Sequence, residues 1–267
     1  MHVLNFSRMG VRLGLLILLL GMGGGLAALY WPSPKSDCEH AFELLRRDPE
    51  AVPLDQLLIS CERAVSEHPD DPHQFYLYGK TLTYIASDSE TVAHFRQAAT
   101  AAHHPAQHEL GLAYLYGRGV PYDPVSARRW LLLAANGGYA PAQRQLARLL
   151  QIGEGGEQNQ EQAFHWYQQA AEQDDTEAQI ELSLAYRRGA GSHQDNEQAL
   201  HWLQRAAQAG SPNAQYMLAM EYFSGQIVSQ DYAQALQWMQ SAEANGYGAA
   251  ERGFFNNGLC TEIGSRN

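Results

Sequence analysis

Apolar residues return along the middle of this chain in two alternating stripes. In the first, Ala106, Leu110 and Tyr114 stand four residues apart; in the second, Ala127, Trp130, Leu131 and Ala134 stand at steps of three and four. Either spacing lines up one face of an α-helix, since about 3.6 residues make a turn. The stripes recur as Ala142, Leu146 and Leu150 with Ala163, Trp166, Tyr167 and Ala170, then as Ala178, Leu182 and Tyr186 with Ala199, Trp202, Leu203 and Ala206. A fourth copy holds Ala214, Leu218 and Tyr222 with Ala235, Trp238, Met239 and Ala242, so the period is 36 residues throughout. Between the stripes stand Gly117, Gly153, Gly189 and Gly225, with Gly119, Gly155 and Gly191 two residues later. Glycine takes left-handed angles without a Cβ clash, so these positions predict the end of one helix and a turn into the next.

A fixed period of this size predicts a stacked architecture, because one helix pair cannot bury its stripe alone. Ala-Ala at 98, 134, 170 and 206, a short break, then Ala-Gln at 106, 142, 178 and 214 marks each junction between pairs. The small residues let helices cross closely, and the Trp fills what remains.

AQHELGLAYLYGRGVPYDPVSARRWLLLAANGG, residues 106–138, resembles the Sel-1-like repeat, a relative of the tetratricopeptide repeat with a longer glycine-rich turn. The resemblance implies an all-α fold, a right-handed α-solenoid of stacked antiparallel helix pairs. It covers residues 106–141, 142–177, 178–213 and 214–248, with a partial copy at 249–256 and a polar tail at 257–267. The fourth copy departs from the pattern at Ile227, where a glycine is expected, and at Glu243, in place of the second Ala. Residues 35–105 resemble degenerate tetratricopeptide-type hairpins, with ERAVSEHPDDPHQFYLYGK, residues 62–80, as a hairpin junction.

The first 34 residues differ from all of this. Arg8 and Arg12 precede an uncharged run from Leu13 to Pro34 that ends near Tyr30 and Trp31. Its length suits a membrane-spanning anchor, aromatic residues suit the interface, and the arginines would stay inside. A cleaved signal peptide is the other reading, with Gly25 and Ala27 around the cut. Either places the repeats in the periplasm of a bacterium, as a single-pass inner-membrane protein or free of the membrane. Cys38 and Cys61 flank RDPEAVP, residues 47–53, which reads as a hairpin turn. Antiparallel helices would set them side by side, as a disulfide or as two buried thiols.

The chain has 267 residues and a net charge of −11, and Arg8 and Arg12 are the only charges before Lys35, so the rest is more acidic still. That balance repels phosphate backbones and excludes a general nucleic-acid binder, while basic protein partners stay open. There is no HExxH, phosphate-binding loop, GxGxxG or GxSxG, and only Lys35 and Lys80 could serve lysine chemistry. His103, His104 and His108 cluster, but two precede Pro105 in a turn and one sits on a helix. They read as a solvated turn rather than converging metal ligands, and no cofactor is expected. His165 and His201, each before a repeat Trp, read as a surface ladder.

What remains is a surface. In tetratricopeptide-type superhelices the first helix of each pair lines the concave side. The resemblance therefore implies an inward set of His108, Leu112 and Leu115; Arg144, Arg148 and Gln151; Ile180, Leu184 and Arg187; Tyr216, Met220 and Phe223. Arg144, Arg148 and Arg187 beside Tyr216, Met220 and Phe223 could receive an acidic or carboxylate-bearing segment. The same arginines could instead pair with repeat acids such as Glu181. The expected role is a non-catalytic scaffold for envelope or secreted protein partners. The alternatives are a periplasmic immunity protein against a lipase-type toxin and a hydrolase whose site the sequence does not reveal.

Overall fold

Residues 34–48, 52–85 and 88–248 are described by a computed structural model, and among them all regular structure is helical. The leader through residue 33, the partial copy at 249–256, the tail and Cys260 lie outside the described residues. Four helices come first: α1 Pro34–Arg47, α2 Leu54–Glu67, α3 Pro72–Leu82 and α4 Asp88–Thr100. The repeat pairs follow as α5 His104–Tyr116 with α6 Pro124–Asn136, and α7 Ala140–Ile152 with α8 Gln160–Glu172. Then come α9 Thr176–Arg188 with α10 Asn196–Gln208, and α11 Pro212–Ser224 with α12 Tyr232–Ala244. Each helix packs on the one before and the one after it, which makes the stack a solenoid. No helix among the described residues is long and apolar enough to cross a membrane.

The period seen in the sequence has a local cause at each helix end. Asp123, Asn159, Asp195 and Asp231 cap α6, α8, α10 and α12, each side chain accepting from backbone N–H groups of the first turn. These groups have no intrahelical partner, so the cap stabilises the start of the helix by about 1 kcal/mol. The second turn glycine answers to tertiary packing. A Cβ on Gly155 would meet the Pro124 carbonyl oxygen at 2.2 Å, and Gly119 and Gly191 stand equally close to Asp88 and Gln160. Each of these three turns thus rests its backbone on the start of the second helix of the preceding pair.

The core is built of Leu and Ala. Leu110, Leu131, Leu146, Leu182, Leu203 and Leu218 are buried together with the junction alanines. The tryptophans are less deeply placed than the repeat pattern predicts. Trp202 is 8 % exposed, whereas Trp130, Trp166 and Trp238 are half-buried at the edges of their clusters. The next residue along the helix takes the deep position: Leu131, Tyr167, Leu203 and Met239 are all buried. At the N-terminal end Cys38 on α1 and Cys61 on α2 form a disulfide, Cα to Cα 4.7 Å, among buried Leu45, Leu57, Ala64 and Leu77. Cross-linking a loop of this size stabilises by about 3 kcal/mol, mainly by restricting the unfolded chain.

Candidate interaction face

The exposed side of the first helices carries a trough of about 470 Å³ that crosses α7, α9 and α11. Arg144, Arg148, Glu177, Ile180, Glu181, Tyr216, Met217 and Tyr247 line it. A second groove of about 300 Å³ adjoins along α9 and α11, lined by Leu184, Arg187, Met220 and Glu221 and sharing Tyr216 and Met217 with the first. Tyr216 and Tyr247 stack with ring centroids 4.4 Å apart, an apolar platform at the meeting point.

The six residues singled out from the sequence divide between these features. Arg144, Arg148 and Tyr216 line the larger trough, Arg187, Tyr216 and Met220 the smaller groove. Phe223, near the end of α11, packs edge-on against Tyr232 at 5.6 Å and lines neither. Two more members of its row also face protein: Leu115 is buried, and the Gln151 amide oxygen accepts from the Tyr167 hydroxyl at 3.0 Å.

The arginines differ in what they have left to offer. Arg144 donates from Nε to Asp175 at 3.1 Å and also pairs with Glu177; Asp175 at the same time caps α9. Arg187 pairs with Glu221. Arg148 is exposed, and among the described residues it makes no hydrogen bond or ion pair. Facing it is Glu181, half-buried and without a hydrogen bond, whose carboxyl pKa burial raises against the pull of Arg188 and Arg148. Two of the three arginines are thus spent on the protein's own acids, and Arg148 is open.

Glu221 escaped the sequence reading. It is 6 % exposed at a place where the earlier copies carry Ala113, Leu149 and Ala185. Burial raises its pKa, Arg187 opposes that, and its Oε2 has no partner. A charge at an otherwise apolar repeat position was the available signal. Tyr247 carried no such signal, while Glu181 entered the sequence reading only as an acid with which the arginines could pair.

The histidines point to separate surroundings. His103 caps α5 through the Ala106 N–H and meets His73 at 3.2 Å, His104 meets Gln107, and His108 packs edge-on against Tyr139. Burial pushes the His103 and His108 pKa values down to about 4. Among the described residues no group of three or more His, Cys, Asp or Glu is arranged to hold a metal ion. His165 and His201 are exposed and lie against Trp166 and Trp202.

Comparison with known proteins agrees with this architecture. No curated protein matches the sequence significantly. Among solved structures, a Sel1 repeat protein from Oxalobacter formigenes is 26 % identical with a TM-score of 0.71, over 85 % of this chain and 66 % of that one. The protective antigen c5321 of uropathogenic Escherichia coli, described as displaying an SLR fold, is 25 % identical with a TM-score of 0.68, over 80 % of this chain and 46 % of that one. This chain thus spans about half of the antigen and just under two thirds of the Oxalobacter protein. The immunity protein PA5088 from Pseudomonas aeruginosa, 17 % identical with a TM-score of 0.56 over 80 % of this chain and 82 % of that one, shares the fold. The Sel1 repeat model matches residues 104–139, 140–175, 176–211 and 212–247, one match for each helix pair from α5 to α12 and more than half of the chain in all, and the protein belongs to the Sel1 repeat family.

Proposed function

We propose that this protein is a non-catalytic interaction module that docks an extended segment of a protein partner along its first helices, from α7 to α11. The observation that carries the reading is the trough of about 470 Å³ with Arg148 open in it and an aromatic platform at one end. A guanidinium with unused donors beside apolar walls is the chemistry of an interface hot spot. The partner is an envelope or secreted protein, met outside the cytoplasm. Arg8 and Arg12 ahead of the uncharged run support that location, as does the Cys38–Cys61 disulfide.

A photo-crosslinking side chain placed at Met217 in the full chain tests the docking face. It should capture a discrete partner in living cells that the same group at Gln168, on α8, does not. Capture at Gln168 alone would move the site to the second helices. Arg148→Ala should weaken the captured complex by about 2 kcal/mol, and Arg148→Glu by more. A reporter enzyme active only in the periplasm and fused to the C-terminus should be active; a stable but silent fusion would overturn the location. The immunity role is the special case in which the captured partner is a secreted lipase-type toxin that loses activity in the complex.

A further inference from the structure

We propose that the α7–α11 trough selects a peptide segment of mixed charge, which sets a carboxylate on Arg148 and an ammonium or guanidinium group on Glu181. An apolar side chain of the same segment lies between Ile180 and Met217. The inference rests on the interaction reading above and names the partner's chemistry.

Charge complementarity carries it. The three arginines of the inward rows, Arg144, Arg148 and Arg187, point, by sequence, to an acidic ligand. Two of them are already neutralised, Arg144 by Asp175 and Glu177, and Arg187 by Glu221. The trough is left with one open cation and one open anion, Arg148 and Glu181, which no ion pair joins. A polyacidic segment would satisfy Arg148 but force like charges against Glu181 and Glu177. A polybasic one would do the reverse against Arg148 and Arg144. A segment with one charge of each sign meets both without repulsion.

The state of Glu181 adds a second reason. Its carboxylate is half-buried on α9 and accepts no hydrogen bond among the described residues, so it bears a desolvation cost that the pull of Arg188 and Arg148 offsets only in part. A cationic donor arriving with the ligand would offset it, and this gain exists only in the complex. Arg148 is complementary: five donors in a planar fork, exposed, matched to a bidentate carboxylate. The occupant is extended because the trough crosses three helices and shares Tyr216 and Met217 with the adjoining groove.

Fluorescent decapeptides of equal apolar content test this against the full-length chain by anisotropy. One set carries a single Asp or Glu and a single Lys or Arg two to four residues apart; the others carry only acids, only bases or neither. Mixed-charge peptides should bind about tenfold tighter than the acidic or basic sets. Glu181→Gln should abolish the advantage of the basic residue and leave the need for the acid. Arg148→Gln should do the opposite. Exchanging the two, Arg148→Glu with Glu181→Arg, should keep the mixed-charge preference and reverse the order of charges along the peptide. Helical circular dichroism confirms that each variant is folded. Acidic peptides binding as well as mixed ones, with Glu181→Gln unchanged, would overturn the inference and leave the docking face standing. Indifference of every set to both substitutions, or no binding by any set, would overturn both.

Discussion

The buried amide of Gln179 donates from Nε2 to the carbonyl oxygen of Ala171 at 3.1 Å, reaching back across the turn from α9 to the end of α8. Gln107, Gln143 and Gln215 do the same to Ala99, Ala135 and Ala207. Each of these carbonyls also accepts a backbone N–H from three residues on (Ala102, Gly138, Asp174 and Gly210), so the glutamine supplies a second hydrogen bond from the following helix. One glutamine per repeat thus ties the start of each first helix to the end of the helix before it, a role for the Ala-Gln that stands eight residues after each Ala-Ala.

Replacing Gln143 by Ala should therefore destabilise the stack by about 1 kcal/mol, the loss of one buried inter-helix hydrogen bond together with the lost packing. Urea unfolding of the variant measures it, with Gln168→Ala on α8 as the comparison. Equal midpoints for Gln143→Ala and the wild type would mean that the inter-helix amide bond adds nothing to the stack.

The turn glycines separate backbone strain from crowding. Gly138 has φ +81° with open space around a would-be Cβ, so Gly138→Ala should cost about 1 to 2 kcal/mol from the left-handed conformation alone. Gly155 has φ +76° and the Pro124 carbonyl at 2.2 Å, so Gly155→Ala must also push α6 away and should cost clearly more. Thermal unfolding of the two variants side by side gives the order, and the reverse order would refute the close approach.

The tryptophans should differ although they share a repeat position. Trp202→Ala removes a side chain buried among the α8–α10 core and should cost about 3 to 5 kcal/mol. Trp166 is half-buried, so Trp166→Ala should cost less. Equal losses in a denaturant series would show that depth of burial does not set the difference.

His108 makes stability fall in mild acid. Burial is the largest cause of its low pKa; Arg144 and Lys80 push in the same direction and Glu109 opposes them. The folded value of about 4 lies below the roughly 6.5 of an unfolded histidine. The unfolded chain therefore binds the proton first, and the stability held above pH 6.5 is lost as pH falls toward 4. His103 acts in the same sense. Glu181 and Glu221, with raised values, act in the opposite one. In His108→Gln the drop in unfolding free energy between about pH 7 and pH 5 should be smaller than in the wild type. An unchanged drop would assign the acid sensitivity elsewhere.

The helix pairs, their 36-residue period and the stacked all-α architecture were legible in the sequence, because each rests on local rules that repeat. Apolar spacing along a helix shows which face is buried, and glycine pairs show where the chain turns. Aspartate and asparagine ahead of each second helix are equally local signals. What the tertiary structure decided depends on reach between repeats. The sequence places Arg144, Arg148 and Arg187 on one face; only the stacking of α7, α9 and α11 brings Asp175, Glu177 and Glu221 within range of two of them and leaves Arg148 open. It likewise turned Phe223 onto Tyr232 and gave Tyr167 rather than Trp166 the deep position. Periodicity specifies a face, but a hydrogen bond or ion pair needs a partner within about 3 Å, and for Arg144 and Arg187 the acids Asp175 and Glu221 lie 31 and 34 residues away, one repeat along the stack.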